Sequence, residues 1–316
     1  MIRPFLLLVV FIVSCSDSKI LPPSTGAINE VLIVMDDHLW EGPPGDSLRR
    51  YLGAQVEGVA WVEPQFNIIQ IPPSSYSRLF QTHRNTLIIQ AGNQSKVAMD
   101  APPNAENQWL GVVAYKDQRY LPKLLGQYAP IFSSRILEEE KKRFLNKRLS
   151  TPVQLIENKF QLTLSLSKKY TNVLDTNRFL WYEYSPKELE VIQGVLIYEL
   201  APNVAFQSKD LMAARDSVLE AYVPGPSKGS FMTTEYVHYT PIVTTFEKGG
   251  ANGFIVRGLW RLEKAFMGGP FMAYFFKDDL RKKTYCIEAF LYNPGENKRD
   301  LLQEMEWIIA DFKIVP

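Results

Sequence analysis

A literal Gly-x-Ser-x-Gly occurs at Gly225-Pro226-Ser227-Lys228-Gly229. A nucleophile elbow needs a strand before its serine and a helix after it. Here the pattern predicts a helix before the motif and a strand after it, and Pro226 reads as turn punctuation. Ser227 is therefore expected in a turn. Gly249-Gly250-Ala251-Asn252-Gly253 is Gly-rich but lies between two strand candidates. It lacks the following helix whose first amides would hold a phosphate, so a hairpin loop is expected. The histidines, His38, His83 and His238, are far apart and form no His-x-x-x-His pair. Asp36-Asp37-His38 is the best candidate for acid or metal chemistry. It follows the first strand candidate, where open α/β sheets place ligands. Neighbouring strand residues point to opposite faces, so both carboxylates reach one ion only if the chain turns there. Helix capping or solvated loop acids is the competing reading. No metal site and no cofactor are expected.

The most distinctive segment is Arg257-Gly258-Leu259-Trp260 followed by Met267-Gly268-Gly269-Pro270-Phe271. Arg257 and Trp260 could offer a planar cation and an aromatic surface to an anionic or sugar-like ligand. The alternative is a buried Arg257 paired with Glu263 or Glu288, Trp260 in the core, and a hairpin made by the glycines. The ligand-contacting candidates are Arg257, Trp260, Asp36, Asp37 and Trp40; no catalytic residue is assigned. Cys286 lies in the strand-like run Thr284–Tyr292 and is expected to be a small buried hydrophobe.

These residues must be positioned by the elements around them. Glu30–Met35 (EVLIVM) is apolar and β-branched, which predicts a buried strand. Asp46 is a plausible cap for a helix over 47–52. Phe66–Ile71, Asn85–Gln90 and Trp109–Tyr115 read as strands, with a short helix over 76–80 and a polar loop over 93–108. Strands alternating with helices suggest an α/β unit. Apolar residues from Leu121 to Leu137 recur at helical spacing, so a long helix is expected, kinked or split at Pro130. Glu138-Glu139-Glu140-Lys141-Lys142-Arg143 is expected to be its solvated, locally paired face. Past a junction near 150–160, strands are expected at Phe179–Tyr184, Val191–Leu200, Phe231–Tyr239, Ile242–Lys248, Gly253–Leu262, Phe271–Lys277 and Tyr285–Tyr292. Helices are expected at Asp210–Tyr222 and, amphipathic, at Asp300–Phe312. The fold class is α+β: an N-terminal α/β unit, then an antiparallel sheet packed by helices.

The start of the chain concerns address. Arg3 precedes an apolar run, Phe5–Val13, too short for the roughly 20 residues of a membrane-spanning helix and suited to a secretory signal. Ile12-Val13-Ser14-Cys15 resembles the lipobox of bacterial lipoproteins. The resemblance implies cleavage before Cys15 and acylation of its thiol and new amine. Several acyl chains hold stably where one holds weakly. The expected organisation is a signal peptide at 1–14, a lipidated Cys15 with a polar tether at 15–28, the N-terminal domain at 29–150 and the C-terminal domain at 151–316. Ser16-Asp17-Ser18 faintly resembles the acidic signals that send some lipoproteins to the cell surface. With Lys and Arg at 35 against Asp and Glu at 34, there is no basic excess of the kind nucleic-acid binders carry. With Cys15 acylated, Cys286 is left without a disulfide partner.

Taken together, Trp40-Glu41-Gly42, Gly45, Arg49, Glu63-Pro64-Gln65-Phe66, the Arg257–Phe271 segment, Tyr292-Asn293-Pro294 and Lys298-Arg299 resemble a Bacteroidota lipoprotein family, the domain of unknown function 4837. The resemblance spans essentially the whole mature chain. It implies an exported, lipid-anchored protein of the cell envelope, with the outer membrane as the expected location, and carries no catalytic residues. The C-terminal part also resembles photosystem-P-type or Mog1-like sandwiches. The leading expectation is a non-catalytic lipoprotein that binds a small ligand or an envelope protein, with its membrane reached through the anchor and no nucleic acid involved. One alternative is an envelope hydrolase using Asp36 or Asp37, which calls for a pocket where Asp36, Asp37 or His38 meets Arg257. Another is an assembly factor, which calls for an uncovered apolar stripe on the long helix.

Overall fold

The computed structural model describes residues 21–59 and 61–315. The expected signal peptide, Cys15 and Ser16-Asp17-Ser18 lie outside the described residues.

β1 (Glu30–Val34) is central in the first sheet. Its residues Val31 to Val34 are all buried, as a strand covered on both faces requires. It pairs in parallel with β2 (Asn67–Ile71) and β3 (Asn85–Ala91). The short β4 (Lys96–Ala98) and β5 (Trp109–Tyr115) complete the order β2-β1-β3-β5-β4, parallel except for β4. β4 lies in the stretch expected to be loop; three residues are too few to show a period, and pairing with β5 makes the strand. The expected short helix over 76–80 is instead two 3-10 turns, Pro73–Ser75 and Phe80–Thr82.

α1 (Asp37–Trp40) and α2 (Pro43–Leu52) follow β1. α2 starts earlier than expected because Pro43 and Pro44 suit its first turn. Gly42 is the cap, and Asp46 sits inside the first turn, 2.7 Å from the Arg49 guanidinium. Gly45 is required here: a Cβ on it would lie 1.9 Å from the Trp40 carbonyl oxygen. This explains the clustering of Trp40, Gly45 and Arg49 in the sequence motif.

α3 (Leu121–Lys147) is one helix of 27 residues; Pro130 does not split it. Pro130 is exposed, so the carbonyl it leaves unpaired at Gly126 can turn toward water. The buried positions of α3 are Leu121, Leu125, Ala129, Phe132, Ile136, Glu140 and Arg143. Leu121 to Ile136 cover the sheet with Val31, Ile33, Leu87, Trp109 and Val113. The stripe then continues in the same helical phase through two charged residues. The expectation of a solvated face over 138–143 is therefore corrected. Glu138, Glu139 and Lys142 lie outside and pair locally, while Glu140 is buried against Arg84 (2.5 Å), Asn85 (2.7 Å) and Arg143 (2.9 Å).

Short elements link the units: β6 (Ser150–Pro152), α4 (Gln154–Phe160), β7 (Leu162–Thr163) and β8 (Ser165–Ser167). The second sheet contains β9 (Thr171–Asp175), β10 (Phe179–Tyr184), β11 (Ile192–Glu199), β12 (Phe231–Thr234), β13 (Ile242–Lys248), β14 (Ala251–Glu263), β15 (Gly268–Asp278) and β16 (Lys283–Tyr292). Its order is β12-β14-β15-β16-β11-β10-β9, antiparallel throughout. β13 pairs with the first half of the long β14 and β12 with its second half. β12 ends before the expected Tyr239 because the Glu235 carboxylate accepts from the amides of Val237 and His238 and turns the chain. β17 (Lys313–Ile314) pairs with β7.

α5 (Ser208–Tyr222) covers one face of this sheet and α6 (Arg299–Ile309), with α4, the other. Phe271, Ala273 and Phe275 point to the α5 side, and Met272, Tyr274 and Phe276 to the α6 side. A strand buried on both faces reads as a continuous apolar run, as FMAYFF does. The architecture is α+β. Gly268 and Gly269 do not form the hairpin turn; they begin β15, and a Cβ on Gly269 would lie 2.0 Å from the Leu291 carbonyl oxygen. Gly249 and Gly250 do form a turn, with positive φ between β13 and β14. Ser227 lies in the turn between α5 and β12, its carbonyl accepting from Ser230 Oγ at 2.6 Å.

Candidate functional site

Several polar contacts tie the units together. Glu63 accepts from the Lys298 amide (2.9 Å) and the Arg299 amide (2.8 Å), so an acid of the first unit caps α6 of the second. Arg299 Nη1 donates to the Pro64 carbonyl at 2.7 Å. Asn29 Nδ2 donates to Asp300 Oδ1 (2.8 Å) and Gln303 Oε1 (2.7 Å). Beside them Phe144 of α3 meets Trp307 of α6, ring centroids 5.6 Å apart.

Flanked by these ties is a cleft of about 690 Å³. It is lined by the loop between α2 and β2 (Gln55, Gln65), by α3 (Leu137, Lys141), by β14 and β15 (Arg257, Met272, Tyr274) and by α6 (Leu302, Glu306, Trp307). Arg257 is ion-paired with Glu306. Burial pushes the Tyr274 phenol well above its usual range, Glu306 adds to this and Arg257 opposes it. The phenol therefore stays protonated and can donate. Gln65 Nε2 is buried without a hydrogen-bond partner. Ser134, also in the lining, donates its hydroxyl to the Pro130 carbonyl at 3.1 Å. The lining is mixed: apolar side chains stand beside the cations Lys141, Arg257 and Arg299 and the carboxylates Glu57, Glu138 and Glu306. A concave site at a domain boundary with convergent polar groups is a common place for a small ligand.

Arg257 is thus in the cleft, paired with neither Glu263 nor Glu288. Trp260 is not in it. Three residues apart on one strand, the two side chains face opposite sides. Trp260 is buried on the α5 side, its Nε1 donating to the Leu291 carbonyl at 3.2 Å. There it helps line a smaller apolar cavity of about 250 Å³ with Trp181, Met232 and Phe290. Asp36 and Asp37 are exposed at the start of α1; Asp37 Oδ1 accepts from Gln70 Nε2 at 2.9 Å. The Trp40 ring is occupied by Arg49, whose guanidinium carbon lies 4.5 Å from the ring centroid. Asp36, Asp37 and His38 do not line the cleft that holds Arg257. The apolar stripe of α3 from Leu121 to Ile136 is covered. Among the described residues no group of three or more His, Cys, Asp or Glu converges to hold a metal ion, and no helix is long and apolar enough to cross a membrane. Cys286 is fully buried in β16, and burial raises its thiol well above the usual range.

Sequence reasoning missed Tyr274, Glu306, Trp307 and Lys141 as cleft residues. Each looks like an ordinary core or surface residue of its own element. The motif residues Gln65 and Arg299 were visible as signals but not as neighbours.

On the other side of the α3–α6 contact, burial raises the Glu304 carboxyl to about 6, with Asp300 adding to the shift. The folded state then binds this proton more tightly than the unfolded chain. The stability from the neutral form is present below the ordinary carboxylate range and lost as pH rises through about 6. Glu304→Gln is expected to raise stability at pH 7 by roughly 1 kcal/mol, allowing for the group's partial exposure. At pH 4 it should change little. Melting curves at the two pH values test this; an equal shift at both would contradict it.

The fold and cleft define a two-unit α+β protein with a ligand-sized opening between the units. The chain belongs to the family described as Domain of unknown function (DUF4837), which matches residues 150–311. Residues 24–150 match a second family, Domain of unknown function (DUF8532). No curated protein matches the chain. Among solved structures it is similar to a mutant of the protein Mog1, at 10% identity and a TM-score of 0.34 over 52% of this chain and 96% of that one. It is also similar to LpqN, described as involved in cell envelope biogenesis of Mycobacterium tuberculosis, at 10% identity and a TM-score of 0.28 over 54% of this chain and 87% of that one.

Proposed function

We propose that this protein is a lipid-anchored protein of the bacterial cell envelope, held at a membrane through Cys15, that binds a small polar ligand in the cleft between its units. The observation that carries the binding reading is the convergence of Arg257, Tyr274 and Gln65 in the cleft of about 690 Å³, beside the apolar side chains of Met272 and Leu302. A guanidinium held by Glu306, a protonated phenol and an amide, with the carboxylates of Glu57 and Glu138 also in the lining, suit a hydroxyl-rich ligand such as a saccharide. The anchor reading rests on the apolar run ending at Cys15 and on the lipoprotein family resemblance, which also makes the outer membrane the favoured location.

The two halves of the proposal are tested separately. Cys15→Ala is expected to abolish incorporation of labelled palmitate and to move the protein out of the membrane fraction; unchanged labelling sinks the anchor. For the cleft, a panel of acidic and neutral oligosaccharides is titrated against the detergent-solubilised protein. Saturable binding lost in Arg257→Ala, with the melting temperature retained, supports the reading. Binding that survives Arg257→Ala places the ligand elsewhere.

A further inference from the structure

The segment expected to be a free tether is, from Pro22 onward, part of the fold. The Pro22 carbonyl accepts from the Glu106 amide (2.8 Å), the Thr25 amide donates to the Thr82 carbonyl (2.9 Å), and the Arg84 amide donates to the Thr25 carbonyl (2.8 Å). Pro23 and Thr25 form parallel bridges with Glu106 and His83. The chain is thus pinned alongside the residues that lead into β3 and β5. Six residues separate Cys15 from Pro22, so even a fully extended chain could place the two only about 25 Å apart.

Next to this pinned segment lies a second cleft, of about 340 Å³. Ile28 lines it on the N-terminal side, with Arg84, Arg143, Lys147 and Arg148 opposite Glu140 and Glu304. Glu140 is committed to Arg84 and Arg143. Arg148 donates through Nε to Ser150 Oγ (2.8 Å), its Nη2 is 3.8 Å from Asp311, and its Nη1 has no hydrogen-bond partner. Lys147 is exposed. Four cations against two carboxylates leave an excess of positive charge, and the raised Glu304 is the weaker of the two opponents. Leu149, directly after Arg148, is 89% exposed. Leu79, whose carbonyl accepts from Thr82 Oγ1, is 72% exposed near the pinned segment. Basic side chains beside unpaired apolar ones are the chemistry of a surface that meets an anionic bilayer.

We infer that the Lys147–Arg148 cleft binds the phosphate of anionic lipid headgroups, so that this end of the protein lies against the membrane that carries the anchor. The inference rests on the anchored reading for its geometry, but the cleft can be tested without the anchor. The chain from Ser16 onward contains every helix and strand among the described residues. Produced without signal or lipid, it is floated with vesicles of phosphatidylcholine alone or with 30% phosphatidylglycerol, roughly the anionic fraction of a charged leaflet. Binding to the anionic vesicles only is expected. Lys147→Glu should reduce it about tenfold, since each basic residue near such a surface contributes measurably. Lys147 is exposed, so that variant should keep its fold; Lys147→Arg should keep its binding. Equal binding to both vesicles, or none to either, overturns the inference. So does thermal protection by inorganic phosphate that depends on Lys147 without vesicle recruitment, because the site would then serve a free anion. Failure of Cys15 to carry palmitate would remove the anchor while leaving the vesicle result to stand by itself.

Discussion

Glu288→Ala is expected to cost about 3–5 kcal/mol, because it strands a buried cation. Glu288 on β16 and Arg215 on α5 are both wholly buried, and they meet in a two-pronged pair, Nη2 to Oε1 at 2.6 Å and Nε to Oε2 at 2.9 Å. Burial pushes the Glu288 carboxyl up from its usual range, and Arg215 opposes it. Arg215 Nη1 donates to Thr234 Oγ1 at 2.6 Å, and its guanidinium carbon lies 3.6 Å from the centroid of the Phe271 ring. Every group therefore depends on the others. Removing Glu288 leaves Arg215 without water and with only Thr234 and the longer contact to Asp216 at 3.3 Å through its Nη1, so its Nε and Nη2 lose their partner. Replacing both, as Arg215→Leu with Glu288→Leu, should recover most of the loss, since a buried pair contributes little over a well-packed apolar one. Arg215→Lys should fail to rescue, because an ammonium lacks the planar fork. Urea unfolding of the three variants beside the parent protein gives the answer. A loss below about 1 kcal/mol for Glu288→Ala would mean the site relaxes enough to hydrate Arg215.

Glu63→Ala is expected to lose about 2–3 kcal/mol and to loosen the cleft at the same time. Glu63 is buried, and its carboxylate satisfies the first amides of α6 from the other unit. A capping residue typically contributes about 1 kcal/mol, and a buried hydrogen bond to a charged group contributes more, about 1.5–3 kcal/mol. Because cap and helix belong to different units, the effect should not stay local. Amide exchange at Lys298, Arg299 and Asp300 should accelerate in the variant, together with exchange along the α6 wall of the cleft. Glu63→Gln keeps one acceptor oxygen and should lose less. If Glu63→Ala lowers stability while exchange in α6 is unchanged, the cap is not what holds the helix end. Glu63 and Lys298-Arg299 stand far apart in the sequence and in stretches that match two different families, and this contact joins the two.

Regular elements were legible wherever a long period or an apolar run was present. Phe179–Tyr184 and Ile242–Lys248 are strands with the expected ends, and β15, β16 and α6 differ from expectation by a few residues. The elements that escaped, α1, β4, α4, β6 to β9 and β17, are all short. Pairing partners create them, and a partner distant in the chain leaves no mark on local periodicity. The charged run 138–143 misled for a related reason. Composition suggests a wet face, but the buried stripe of α3 passes through Glu140 and Arg143, and burial there is supportable only because Arg84 and Asn85 arrive from β3 and the turn before it.

The sequence by itself determined the class of fold and the chemistry at hand. Alternation and apolar runs specify which segments are strands and helices, because hydrophobic burial acts on every residue of an element in the same phase. The family that matches residues 150–311 could be read from residue types, but the resemblance was drawn too wide, since residues 24–150 match a second family. Only the tertiary structure decided which residues share a site. It put Arg257 and Trp260 on opposite faces, kept Asp36 and Asp37 out of the Arg257 cleft, and set Pro22–Thr25 against the main body through isolated bridges, beside a basic cleft. Such neighbours are set by sheet order and helix docking between segments more than a hundred residues apart, for which the local sequence holds no signal.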